Sequence, residues 1–130
     1  LVLLSPNIDR LPLQQAATEA ARTLELTEQL GTTAVQRSTL GYTQIVCERL
    51  GRHDLAAMIS GHLDDRRQPV SPAEQERYDD SVRRLHEALE PGTLDTLRSR
   101  GATLSTREVA RQVSAALDRA DSSGRRSAGA

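Results

Sequence analysis

The 130-residue chain contains no Trp, no Phe and no Lys, and has one Met and one Cys. Tyr42 and Tyr78 supply its whole aromatic content of 2%. Any core must therefore be built from Leu, Val, Ile and Ala, which suit close helix–helix packing. The scarcity of alternating β-branched or aromatic runs argues against sheets. A lone cysteine, Cys47, excludes an internal disulfide and makes a reducing compartment, the cytoplasm, the expected location. The longest apolar run, residues 1–4, falls far short of the roughly 20 residues of a membrane span, and the pattern of a secretory leader is missing.

The formal charge of -1 gives no overall basic field to attract nucleic acid or an anionic membrane. All 17 basic residues are Arg. Guanidinium groups suit phosphate recognition, but these are scattered, and codon usage in a GC-rich genome accounts better for them. The chain begins with Leu instead of Met, which reads as an excised or processed piece of a longer protein.

What is present is helical punctuation. Pro12 opens a helix carrying Leu13, Ala16, Ala17, Ala20, Leu24, Thr27 and Leu30 at helical spacing, and Gly31 supplies a left-handed stop. Thr33 and Gln36 have capping-box spacing. The helix they start should bury Val35, Thr39, Tyr42, Val46 and Leu50 before Gly51 ends it. A third helix follows His53-Asp54 with Leu55, Met58, Ile59 and Leu63, and residues 64–70 form a loop. Ser71-Pro72-Ala73-Glu74 is the strongest local signal, with serine at N-cap, proline at the first helical position and glutamate at the third. Tyr78, Val82, Leu85 and Leu89 then make a narrow stripe on a charged helix.

Pro91-Gly92 stops that helix, and Thr93 caps a short one holding Leu94 and Leu97. Ser105-Thr106-Arg107-Glu108 opens a last helix with Val109, Val113, Ala116 and Leu117 on one face. Residues 121–130 have no apolar side chain larger than Ala and should form a flexible tail. The expected fold is all-α: antiparallel helical hairpins over 1–120, then the tail.

Little here points to chemistry. Cys47, His53, His62, Asp64 and Asp65 are the only candidate metal-ligand set, and their spacing matches no metal motif. Cys47, beside the Val46 face, reads as a small apolar residue. A chain without Lys cannot supply the lysine of a phosphate loop. Ser60-Gly61-His62 has no partner arrangement for nucleophilic catalysis. The expectation is no catalytic residue, no cofactor and no metal. Residues 104–111 superficially resemble the opening of a DNA-binding helix-turn-helix, but a second helix should not fit before the tail. Arg66-Arg67 and Arg83-Arg84 lie among Asp64, Asp65, Asp79 and Asp80, which makes an ordinary mixed surface. Tyr42 and Tyr78 should sit at helix contacts with their hydroxyls near the surface.

Residues 37–69, aligned on Gly51, resemble one degenerate tetratricopeptide unit. Leu40 takes a large-residue position, Ala56 the small one and Pro69 the repeat end, while Gln44 and Ser60 depart from the pattern. From Gly51 to Leu117 the order of signals is similar to the end of the helical-repeat region in large actinobacterial regulators. That order runs through Gly51-Arg52-His53-Asp54-Leu55-Ala56-Ala57, a proline loop, Ser71-Pro72-Ala73-Glu74, Tyr78, the Val82/Leu85 stripe, Leu94/Leu97 and Leu104-Ser105-Thr106-Arg107-Glu108. Those regulators join an NTP-hydrolysing signalling module to tetratricopeptide-like repeats, often with a LuxR-type DNA-binding or nucleotide-cyclase domain.

The resemblance implies a non-enzymatic interaction or regulatory segment whose capping helices close a repeat array. Its partner would be another protein or other domains of the same chain, with no membrane or nucleic acid. A DNA-binding regulator domain and a fragment of a cyclase-linked enzyme are the alternatives. Leu1, Leu3, Leu4, Ile8 and Leu11 form a candidate self-association face for a two-fold homodimer.

Overall fold

The computed structural model describes residues 10–31, 33–64, 66 and 71–129, with side chains over 12–119 of that set. Every regular element among the described residues is an α-helix: α1 (Arg10–Leu30), α2 (Thr33–Arg49), α3 (His53–Leu63), α4 (Pro72–Ala88), α5 (Pro91–Thr103) and α6 (Thr106–Gly129). The self-association face falls outside these residues, except that the backbone of Leu11 lies in α1.

Local chemistry explains most of the boundaries. Gly31 and Gly51 adopt φ of 70° and 84°, the left-handed conformation that glycine takes without a Cβ penalty. After α2 the Arg52 amide donates to the Cys47 carbonyl at 2.8 Å and the Gly51 amide to Glu48 at 3.2 Å, satisfying carbonyls that the helix leaves open. Before α4, Ser71 is extended and its Oγ accepts from the Glu74 amide at 3.2 Å, with Pro72 at the first helical position. Before α6 the capping box closes both ways. Ser105 Oγ accepts from the Glu108 amide at 3.1 Å, and Glu108 Oε1 accepts from the Ser105 amide at 3.2 Å.

Four local expectations need correction. Pro91 does not merely stop α4; it opens α5, with Glu90 as N-cap in place of Thr93, because a residue lacking an N–H and fixed near helical φ suits the first helical position. Gln36 does not close a box onto Thr33. It is buried, and its Nε2 has no partner among the described residues. Leu30 and Val35, expected in the core, are 75% and 48% exposed, since both lie at the α1–α2 corner. The backbone of α6 continues as helix to Gly129, past residue 121, where the tail was expected.

Packing follows from which faces are small or apolar. α2 and α3 are the central helices, with residues 39–48 and 55–63 buried throughout. The alanine-rich face of α1 (Ala16, Ala17, Ala20, Ala21) lies in one core cluster with Val109, Val113 and Leu117 of α6. α4 docks on α2 at three successive levels. Tyr78 lies over Gly41, where a Cβ would collide with the tyrosine hydroxyl; Gln44 Nε2 donates to Ser81 Oγ at 3.4 Å; and Arg84 Nε stands 3.1 Å from Glu48 Oε1. Gln44, which departs from the repeat pattern, is therefore a polar contact to α4.

α1 packs on α6, and α3 packs most extensively on α5. The helices thus close on themselves. In a linear stack of hairpins each unit meets only its neighbours, and the first and last helices would stay apart.

Leu85 is fully buried in the core cluster, while most of α4 faces solvent. Leu85→Ala should cost about 2–5 kcal/mol and Ser71→Ala about 1 kcal/mol in urea denaturation. Near-zero values for both would mean that α4 is not docked.

Candidate binding cleft

His62 is inaccessible to solvent and ties α6 to the centre of the fold. Its Nδ1 lies 3.0 Å from the Gly101 carbonyl and its Nε2 2.8 Å from Thr106 Oγ1. A carbonyl only accepts, so Nδ1 carries the proton and Nε2 accepts from the threonine hydroxyl. Thr106 Oγ1 in turn accepts from Arg37 Nε at 3.2 Å. Arg66 completes the joint by donating to the carbonyls of His62 at 2.8 Å and Ala102 at 3.0 Å. Burial lowers the His62 pKa and the Gly101 bond opposes the shift; the Arg66 and Arg37 charges lower it further. One helix junction therefore converges on a neutral imidazole.

The sequence had singled out His62 beside Cys47, His53, Asp64 and Asp65. Both His62 ring nitrogens are engaged in hydrogen bonds, and Cys47 is buried, with its thiol pushed up to about 12 by desolvation. Asp64 pairs with Arg98 at 3.3 Å, and Asp65 lies outside the described residues. No group of three potential metal ligands occurs among the described residues. Ser60 donates to the Ala57 carbonyl at 2.8 Å inside its own helix, and Gly61 lies against the backbone of Arg98, so the Ser60-Gly61-His62 run is spent on packing. Tyr42, expected to reach the surface, is buried, and its hydroxyl has no partner among the described residues.

The α6 helix held at this joint forms one wall of an open cleft of about 500 Å³ between α3, α5 and α6. Its apolar lining, the floor, is Leu55, Met58, Leu97, Ala115 and Ala116, and its polar lining, the rim, is Arg52, Asp54, Arg100, Arg111, Gln112 and Arg119. Two rim charges are compensated. Arg52 bonds Asp54 at 3.4 Å; burial works to raise the Asp54 pKa, but that bond and the Leu55 amide outweigh it and the net shift is downward. Arg111 bonds Glu28 of α1 at 2.5 Å, and Arg107 joins the same carboxylate at 3.1 Å. The Arg111 bond, then the Arg107 bond, hold the Glu28 pKa below its ordinary value. Arg100 bonds only the neutral side chain of Gln112, at 3.2 Å, and neither it nor Arg119 has a carboxylate partner among the described residues. The cleft thus combines apolar surface with two guanidiniums that have no carboxylate partner among the described residues.

These arginines were not recognised in the sequence, because they come from three separate elements that only the packing brings together. A partial signal existed: residues 111 and 119 of the last helix lie eight apart, on adjoining parts of one side. Arg66 and Arg84, which lie in the mixed-charge surface expected from the sequence, are engaged by backbone carbonyls and Glu48 respectively. Leu26, Leu30 and Val35 are the large apolar side chains left exposed at the α1–α2 corner.

No described helix is long and apolar enough to cross a membrane. No protein-family model, no curated protein and no solved structure matches the chain.

Proposed function

We propose that the chain is a non-enzymatic protein-interaction module, serving as a regulatory scaffold within a larger ATP-dependent signalling or transcriptional regulator. The observation that carries this reading is the arginine-rimmed cleft with an apolar floor. It is open along one side, which suits a polypeptide segment laid across it better than an enclosed small molecule. Its walls are three helices tied together by the buried His62 joint and the α3–α5 contact, so the surface is preorganised and binding need not order it. The resemblance of residues 51–117 to the end of regulator repeat regions supports placing the module in such a parent chain.

The alternative of a DNA-binding domain draws on the exposed arginines of α6. Glu28 compensates Arg107 and Arg111, and the apolar floor has no use against a phosphate backbone, so the protein reading is favoured.

A photo-crosslinking residue placed at Ala115, with a control at the exposed Glu76 on α4, tests the proposal in cells that make the protein. A polypeptide adduct at 115, identified by mass spectrometry and missing at 76, is the expected result. Adducts confined to nucleic acid, or none above the control, would remove the cleft as a protein-binding surface.

A further inference from the structure

We infer that the occupant of the cleft is an acidic amphipathic segment of a partner protein, with its apolar face on the floor and its carboxylates on the rim. The inference rests on the interaction reading above and adds the chemistry of the partner. Charge complementarity carries it. Arg100 and Arg119 line the cleft with no carboxylate partner among the described residues, and Arg guanidinium forks match carboxylates two bonds at a time. In the same lining Leu97 is half-buried and Ala115 exposed, so an incoming aliphatic side chain finds apolar surface in the cleft that both arginines line. A basic segment would face repulsion from the same rim, which gives selectivity through sign as well as shape.

The test uses the full chain and four fluorescein-labelled probes read by anisotropy. They are a short helical peptide with Glu on one face and Leu on the other, its Lys-for-Glu counterpart, its Ser-for-Leu counterpart, and a short duplex DNA. The Glu/Leu peptide should bind most tightly and weaken with added salt. Arg100→Glu with Arg119→Glu should weaken it at least about tenfold, a loss of about 1.4 kcal/mol. Both residues are exposed, so an unchanged circular-dichroism melt verifies that the variant is folded; Arg100→Gln with Arg119→Gln gives the milder version. Equal binding of the Glu/Leu and Lys/Leu peptides, indifference to the double substitution, or displacement of the peptide by duplex DNA would each overturn the inference. If the peptide fails while the crosslinker at 115 yields an identified protein, the interaction reading stands with a partner of other chemistry. If the crosslinker finds no protein, that reading fails whatever the peptide does.

Discussion

Replacing Gly101 by alanine should destabilise the protein by about 3 kcal/mol or more, although alanine is the better helix former by about 1 kcal/mol. Gly101 lies where α5 crosses α3. A Cβ there would collide with the backbone carbonyl of Met58, and one on Gly61 would collide with the backbone of Arg98. The two glycines lie three residues from the partners' contact points, 58 with 61 and 98 with 101, so each helix presses bare backbone against the other. Backbone atoms cannot rotate away, and the only relief is to separate the most extensive helix pair in the fold.

Gly92, near the start of α5, is the control. A Cβ there meets nothing within 4 Å and its φ is not positive, so Gly92→Ala should stabilise by about 0.4–1 kcal/mol through the unfolded state. Urea midpoints of the two variants should move in opposite directions. A neutral or stabilising Gly101→Ala would show that α3 and α5 do not cross so closely. The double variant Gly61→Ala, Gly101→Ala should cost less than the sum of its parts, because both open the same interface.

The second large effect is expected at His62. Removing its ring in His62→Ala leaves the Gly101 carbonyl and the Thr106 hydroxyl without their partner, at about 1–3 kcal/mol per unsatisfied buried group. It also leaves a cavity between three helices. A total of about 3–5 kcal/mol is expected in urea denaturation, and less than about 1 kcal/mol would mean that the joint does not hold α6.

The same residue sets a pH dependence. Its folded pKa is lowered from the ordinary 6.5 by burial and by the Arg66 and Arg37 charges. Below that value the unfolded chain takes up the proton first, so the stabilisation is full above about pH 6.5 and is lost as pH falls toward the folded pKa. Glu28 and Asp54, whose pKa values are also lowered, lose their contributions only further down, in the carboxylate range. Urea midpoints at about pH 7.5 and 5.5 should therefore differ more for the wild type than for His62→Gln, which cannot titrate. Equal pH sensitivity in the two would remove His62 as the source.

Much of this was legible because it is local. Ser71 and Ser105 sit before Pro72 and Thr106 with an acceptor or donor three residues on, and Gly31 and Gly51 follow apolar runs, so capping and stopping are decided within one turn of chain. The stripes Leu13/Ala16/Ala17/Ala20/Leu24 and Val109/Val113/Ala116/Leu117 identified their own buried faces by period alone. The absence of Phe and Trp foretold a core of small aliphatic residues, and that core is what allows backbone-to-backbone crossings at Gly61 and Gly101.

Pairing was not legible. Nothing in α1 or α6 separately says that Glu28 will meet Arg107 and Arg111, or that the first and last helices will close on each other. Such pairs are 79 and 83 residues apart and depend on which faces remain uncovered after α2 and α3 are buried. His62 read as one poorly spaced metal candidate, because its partners Gly101 and Thr106 lie 39 and 44 residues away. The cleft arose in the same way. Arg52, Arg100, Arg111 and Arg119 are scattered charges along the chain and become one rim only where α3, α5 and α6 meet. Sequence alone determined that the chain is helical, most of the helix ends and the main apolar stripes, since short-range sterics and hydrogen bonding settle those, and it missed where neighbouring helices changed the outcome, as at Glu90 and Val35. Tertiary packing alone decided which faces met and where charge gathered, since those depend on contacts between distant residues that no local pattern encodes.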